Sequence, residues 1–119
     1  IDLEDLESLL QDNPHALISL MHANNEIGNL LPIKKVSRLA EKYGAIFHSD
    51  AVQTVGHYTI NLEAINHVHF LSASAHKFHG PKGTGFLFIR NGLRLKPFIN
   101  GGPQERELRA GTENVAGIV

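Results

Sequence analysis

Cysteine is absent from the 119-residue sequence, which excludes disulfides, cysteine-based zinc sites and any thiol nucleophile carried by this chain. That usage fits a reducing compartment. An excess of charge of either sign is also missing: 11 Lys+Arg stand against 12 Asp+Glu, a formal net charge of -1, and like charges form no block. Such a balance offers no electrostatic footprint for nucleic acid or anionic lipid. No apolar run approaches the roughly 18 residues of a membrane span. The acidic opening Ile1-Asp2-Leu3-Glu4-Asp5 is the opposite of a basic targeting segment, so the reading is a soluble, cytoplasmic protein. Repeats, low-complexity tracts and linkers are lacking too, and residues 1–119 read as one partial domain with no inner boundary.

What is present is an ordinary globular composition, 42% hydrophobic and 19% charged. A chain of this length buries roughly two thirds of its unfolded surface, enough for one core. It does not begin with Met, and it ends on Ala116-Gly117-Ile118-Val119 just after an expected helix start at Thr112-Glu113. The expectation is therefore a piece of a larger protein.

Apolar residues at Leu3, Leu6, Leu9 and Leu10 predict an amphipathic helix over 1–10, ended by Asp12-Asn13-Pro14. Ala16 to Met21 is short, apolar and bounded by turn residues, as a buried parallel strand is. A second helix follows Pro32 on Ile33, Val36, Leu39, Ala40 and Tyr43, closed by Gly44. Further strands are predicted at Ala45–His48 and Val68–Leu71, with a short helix at Leu62–Asn66 between them. This order argues an α/β fold, mainly a parallel sheet with right-handed βαβ crossovers, whose ligands sit beyond the carboxyl ends of the strands. Gly85–Arg90 follows too quickly for a helical crossover and is predicted antiparallel or marginal.

Asp50 and Lys77 fall at the ends of two successive predicted parallel strands, so an amine and a carboxylate share one crevice. One reading is a partly exposed ion pair. The other is a pyridoxal phosphate site, whose chemistry needs a Schiff-base lysine, an acid opposite the ring nitrogen and a phosphate cradle. Ser74-Ala75-His76-Lys77 supplies a hydroxyl and an imidazole for such a cradle.

Four blocks of the sequence resemble consecutive blocks of the cysteine desulfurases, relatives of the class V aminotransferases with the fold type I architecture. They are His22-Ala23-Asn24-Asn25-Glu26-Ile27-Gly28, His48-Ser49-Asp50-Ala51-Val52-Gln53, Ser74 to Gly83, and Arg109-Ala110-Gly111-Thr112-Glu113-Asn114. The resemblance spans most of residues 15–119 and favours the branch serving iron-sulfur assembly. It implies the central part of a large cofactor-binding domain, with Lys77 as the Schiff-base lysine and Asp50 as partner of the pyridine nitrogen. Asn25 and Gln53 would reach the phenolic-oxygen side, and Ser74 and His76 the phosphate. Thr112 would bind phosphate from the neighbouring subunit of a homodimer, although read alone it is an N-cap for the last helix. The implied reaction converts L-cysteine to L-alanine and leaves sulfane sulfur on an enzyme cysteine for a scaffold or acceptor protein. With no Cys here, that cysteine is expected beyond Val119, and the piece alone is not expected to turn over cysteine.

Other readings are another class V enzyme, such as an aminotransferase or a selenocysteine lyase, and a non-catalytic folding or dimerisation unit. Eight histidines, including His67-Val68-His69 and His76-Lys77-Phe78-His79, also invite a zinc hydrolase. No His-Glu-x-x-His occurs, and the histidines beside strands read as surface or hydrogen-bonded residues, so no metal site is expected. Gly80-Pro81-Lys82-Gly83-Thr84-Gly85 lacks P-loop spacing and precedes a strand, so its glycines are read as a sharp turn after Lys77.

Overall fold

The computed structural model describes residues 1–119. Helix α1 spans Leu3–Asp12, and Asp2 caps it by accepting the amides of Glu4 and Asp5. The carboxylates of Glu4 and Asp5 in its first turn suit the positive end of the helix dipole. Strand β1 covers Leu17–Met21, helix α2 Ile33–Tyr43 and strand β2 Ile46–Asp50. The chain leaves α2 through Gly44 at φ 62, a left-handed position that a side chain resists. Strand β3 spans Phe70–Ser74, a 3-10 turn Ala75–Lys77 follows, and β4 is Gly85–Ile89. A second 3-10 turn lies at Gln104–Glu107, and a short helix α3 at Val115–Ile118.

The sheet has order β1-β2-β3-β4. β1 pairs with β2 and β2 with β3 in parallel, whereas β3 and β4 are antiparallel. Both expectations from the sequence hold here: a parallel core and an antiparallel marginal strand. Period-two alternation then sorts the residues by face. Ile18, Phe47 and Leu71 point into a core shared with Leu10 of α1 and with Val36 and Ala40 of α2. Ser19, His48, Asp50 and Ser72 lie on the other face. β1 is therefore half-buried and not an interior strand, for Leu17 and Met21 are 68% and 38% exposed.

Two predicted elements move. β3 begins at Phe70, two residues after the predicted Val68, because Val68 is consumed in a turn where its amide bonds the Ile65 carbonyl. The helix expected at Leu62–Asn66 is a series of turns. Asn61 Oδ1 takes the amides of Glu63 and Ala64, and the Arg90 guanidinium donates to the carbonyls of Leu62, Ile65 and Val68. One cation thus satisfies acceptors that a continued helix would have bonded itself. No helix is long and apolar enough to cross a membrane.

Candidate active site at the carboxyl ends of the sheet

Parallel pairing places the ends of β1, β2 and β3 on one side of the sheet, and six of the seven predicted site residues lie in or just after those ends. Asp50 closes β2 opposite Ser72 of β3. It is half-buried, and its Oδ1 accepts the Val52 amide at 2.9 Å. Its backbone carbonyl accepts the His22 amide at 2.8 Å, fastening the end of β1 to the end of β2. Lys77 closes the 3-10 turn directly after β3, with an exposed side chain. The ion pairs of the chain are Lys42–Glu7 and His67–Glu41. Asp50 and Lys77 therefore do not neutralise each other, and the simple ion-pair reading of these two residues fails.

Ser74 is the last residue of β3, and its hydroxyl lies 2.9 Å from His76 Nδ1 in the adjoining turn. Gln53 is half-buried in the turn that begins after Asp50. The chain reverses sharply after Lys77, and a Cβ at Gly80 would come within 2.7 Å of the Ala75 Cβ, so only glycine fits that return. Asn25 sits in the exposed loop after β1, where its amide donates to the Glu26 carboxylate at 2.6 Å. Thr112 is exposed ahead of α3 and makes no side-chain hydrogen bond with the other six. It is not a helix cap. The helix start expected at Thr112-Glu113 falls at Val115, because Asn114 supplies the oxygen that accepts the Gly117 amide.

Several residues that support the site escaped sequence reading. Buried His22 bonds through Nδ1 to Thr54 Oγ1 at 2.9 Å, and the Thr54 hydroxyl donates to the Ala51 carbonyl at 3.2 Å. With that hydroxyl proton spent, His22 Nδ1 must be the donor. Burial lowers the pKa of His22 and so favours its neutral form. His48 spans three strands, with Nδ1 at 2.9 Å from Ser19 Oγ and Nε2 at 3.2 Å from Ser72 Oγ. His57, in the turn after Asp50, reaches the Lys77 carbonyl. The signal for the His48 pairs was polarity at alternate strand positions, which carries no register, and the pairs of His22 and His57 join turn residues with no local signal at all.

Of the histidines weighed for a metal, His67, His69 and His76 each have a ring nitrogen in a polar contact. His69 Nδ1 accepts the Phe47 amide at 3.0 Å, and burial followed by the charges of His67 and Arg90 lowers its pKa. An apolar cleft of about 450 Å³, lined by Val55, Tyr58, Leu71, Phe86 and Phe88 among others, lies on the face opposite Asp50 and holds none of the predicted site residues.

Comparison with known proteins gives the family of the chain. The chain is 54% identical to cysteine desulfurase IscS of Dictyoglomus turgidum over 119 residues, all of this chain and 30% of that protein. It is 50% identical to cysteine desulfurase NifS of Azotobacter vinelandii, again over its whole length and 29% of the relative. Among solved structures, a NifS-like protein from Rickettsia africae superposes with TM-score 0.93 at 42% identity, covering 99% of this chain and 33% of that one. The chain thus spans about 30% of the length of the curated relatives it matches. The family described as aminotransferase class-V matches residues 1–119, and on that full-length match the chain belongs to the class V aminotransferase family.

Proposed function

We propose that these 119 residues form the cofactor-cradling part of a cysteine desulfurase that holds pyridoxal phosphate and acts on L-cysteine. The observation that carries this reading is that the amine of Lys77, in the turn directly after β3, and the carboxylate of Asp50, at the end of the adjacent parallel strand β2, are both free of ion pairs. Left in water alone, two such groups gain nothing from being collected at one edge. A cationic ring with an aldehyde and a phosphate uses both, together with the hydroxyl and imidazole of Ser74 and His76. The donor set therefore fits pyridoxal phosphate. A structural relative described as SspA in complex with cysteine, at TM-score 0.91 and 37% identity, supports the substrate class.

In this reading Lys77 would anchor the cofactor and serve as the base that moves a proton at the substrate α carbon. Asp50, its Oδ1 held by the Val52 amide, would be the partner of the ring nitrogen. Ser74 and His76 bind phosphate, while Asn25 and Gln53 donate to the phenolic oxygen. Thr112 closes the phosphate site of a second copy in a homodimer. When bound, the cofactor supplies the electron sink for a carbanion at the α carbon. The chain has no cysteine, so any sulfur-accepting thiolate comes from outside these residues. The sulfur would then pass to an iron-sulfur scaffold or other acceptor protein.

The test is titration of the full-length protein with pyridoxal phosphate, followed by borohydride and peptide mapping. A single adduct on Lys77, lost in Lys77→Ala, is the expected result. Asp50→Asn should keep the adduct while weakening cofactor retention by about tenfold or more, the scale of one lost charge-assisted contact. Equal labelling of parent and Lys77→Ala would overturn the assignment.

A further inference from the structure

Lys77 has an exposed side chain with no ion-pair partner, so the reach of its amine is set by how its backbone is held. The turn Ala75–Lys77 is closed on itself by amides of Phe78 and Gly80 donating to the Ala75 carbonyl, at 3.0 and 2.9 Å. One side chain from elsewhere enters it. His57 Nε2 lies 2.9 Å from the Lys77 carbonyl oxygen. A carbonyl only accepts, so His57 is the donor through its Nε2–H.

His57 belongs to the turn that starts at Asp50. The amides of Thr54 and Val55 bond the Ala51 carbonyl, and those of His57 and Tyr58 bond the Thr54 carbonyl, winding the segment tightly from the Asp50 side. Next to His57, a Cβ on Gly56 would fall 2.5 Å from the Phe78 Cβ. The Asp50 turn and the Lys77 turn therefore pass in close contact at Gly56, and His57 fastens them.

Building on the proposed function, we propose that His57 is a positioning residue. Through its bond to the Lys77 carbonyl it fixes the Lys77 backbone relative to Asp50 and so sets where the amine is presented. His57 makes no claim on the reacting atoms itself. Its ring is exposed, so its removal should leave overall stability unchanged while loosening one turn.

The experiment compares the full-length parent with His57→Ala and His57→Gln, because a glutamine amide can replace the lost donor. Hydrogen exchange at the Phe78 and Gly80 amides, without cofactor, should quicken about fivefold in the alanine variant, the factor set by one ordinary hydrogen bond. The glutamine variant should return to within about twofold of the parent on the same scale. With pyridoxal phosphate added, borohydride-fixed labelling at Lys77 should slow in His57→Ala and return toward the parent rate in His57→Gln. Unchanged exchange and labelling in His57→Ala would overturn the proposal, as would a glutamine variant no better than alanine. A parent that fails to label at Lys77 would instead remove the cofactor assignment, leaving the exchange comparison to judge the clamp. Should the alanine variant lose its thermal midpoint, the glutamine variant and its exchange decide.

Discussion

Replacing Thr54 by valine isolates the bond that joins the first strand end to the Asp50 turn. The side chain is fully buried, and valine matches its shape, so the change removes a hydroxyl without opening a cavity. Two hydrogen bonds go with it: the one Thr54 donates to the Ala51 carbonyl and the one it accepts from His22. His22 is 7% exposed, so its Nδ1–H is left without a partner. An orphaned buried donor costs about 1–3 kcal/mol, and the lost bond to Ala51 adds about 1 kcal/mol. The expected loss is about 2–4 kcal/mol in urea unfolding of the cofactor-free protein. His22→Leu in the Thr54→Val background should recover about 1 kcal/mol or more, since an apolar pair leaves nothing unsatisfied. A loss below about 0.5 kcal/mol, the scale of a neutral surface change, would refute the reasoning, because His22 would then have found water or another acceptor.

Acid should also weaken the fold. The folded-state pKa values of His22 and His69 are lowered, chiefly by burial, so the unfolded chain takes up protons first as pH falls below about 6.5. Stability is then full above that pH and declines below it, by up to about 1.4 kcal/mol per pH unit for each histidine, until the folded values are reached. Urea midpoints from pH 7.5 to 5 check this, and His22→Leu should flatten the slope. Arg90→Ala removes the guanidinium from three carbonyls, of which only that of Ile65 keeps another donor, the Val68 amide, and should cost about 2–4 kcal/mol with loss of hydrogen-exchange protection over residues 61–68. An unchanged midpoint would mean that water serves those carbonyls equally well. Gly44→Ala forces a side chain into φ 62, with its Cβ 2.9 Å from the His15 ring. About 1–2 kcal/mol should be lost, and a neutral result would contradict the assigned helix end.

The parts of this protein that are local in sequence were readable in sequence. Spacing on Ile33, Val36, Leu39, Ala40 and Tyr43 with Gly44 beyond marks α2, since helix periodicity and the left-handed cap are properties of neighbouring residues. The four motif blocks are equally local, and the class V family follows from them and from the full-length match. Asp50 and Lys77 could be placed at one edge because parallel strands joined by crossovers end on the same side.

Pairings across strands were not readable, because hydrophobic pattern does not set which residues face each other. Val68 looks like the start of a strand, and its burial is complete, yet it lies in the turn before β3. Its apolar character is satisfied equally in either place. Thr112 reads as a helix start, but Asn114, two residues on, supplies the capping oxygen.

Sequence alone therefore determined the kind of fold, the order of its elements and the residue types gathered at one sheet edge. Tertiary structure decided which groups hold that edge together: His22 on Thr54, His48 between Ser19 and Ser72, and His57 on the Lys77 carbonyl. The reason is distance along the chain. Capping and periodicity act over three or four residues, whereas these bonds close loops of 20 to 32 residues, and only the packed sheet brings their ends within hydrogen-bond reach.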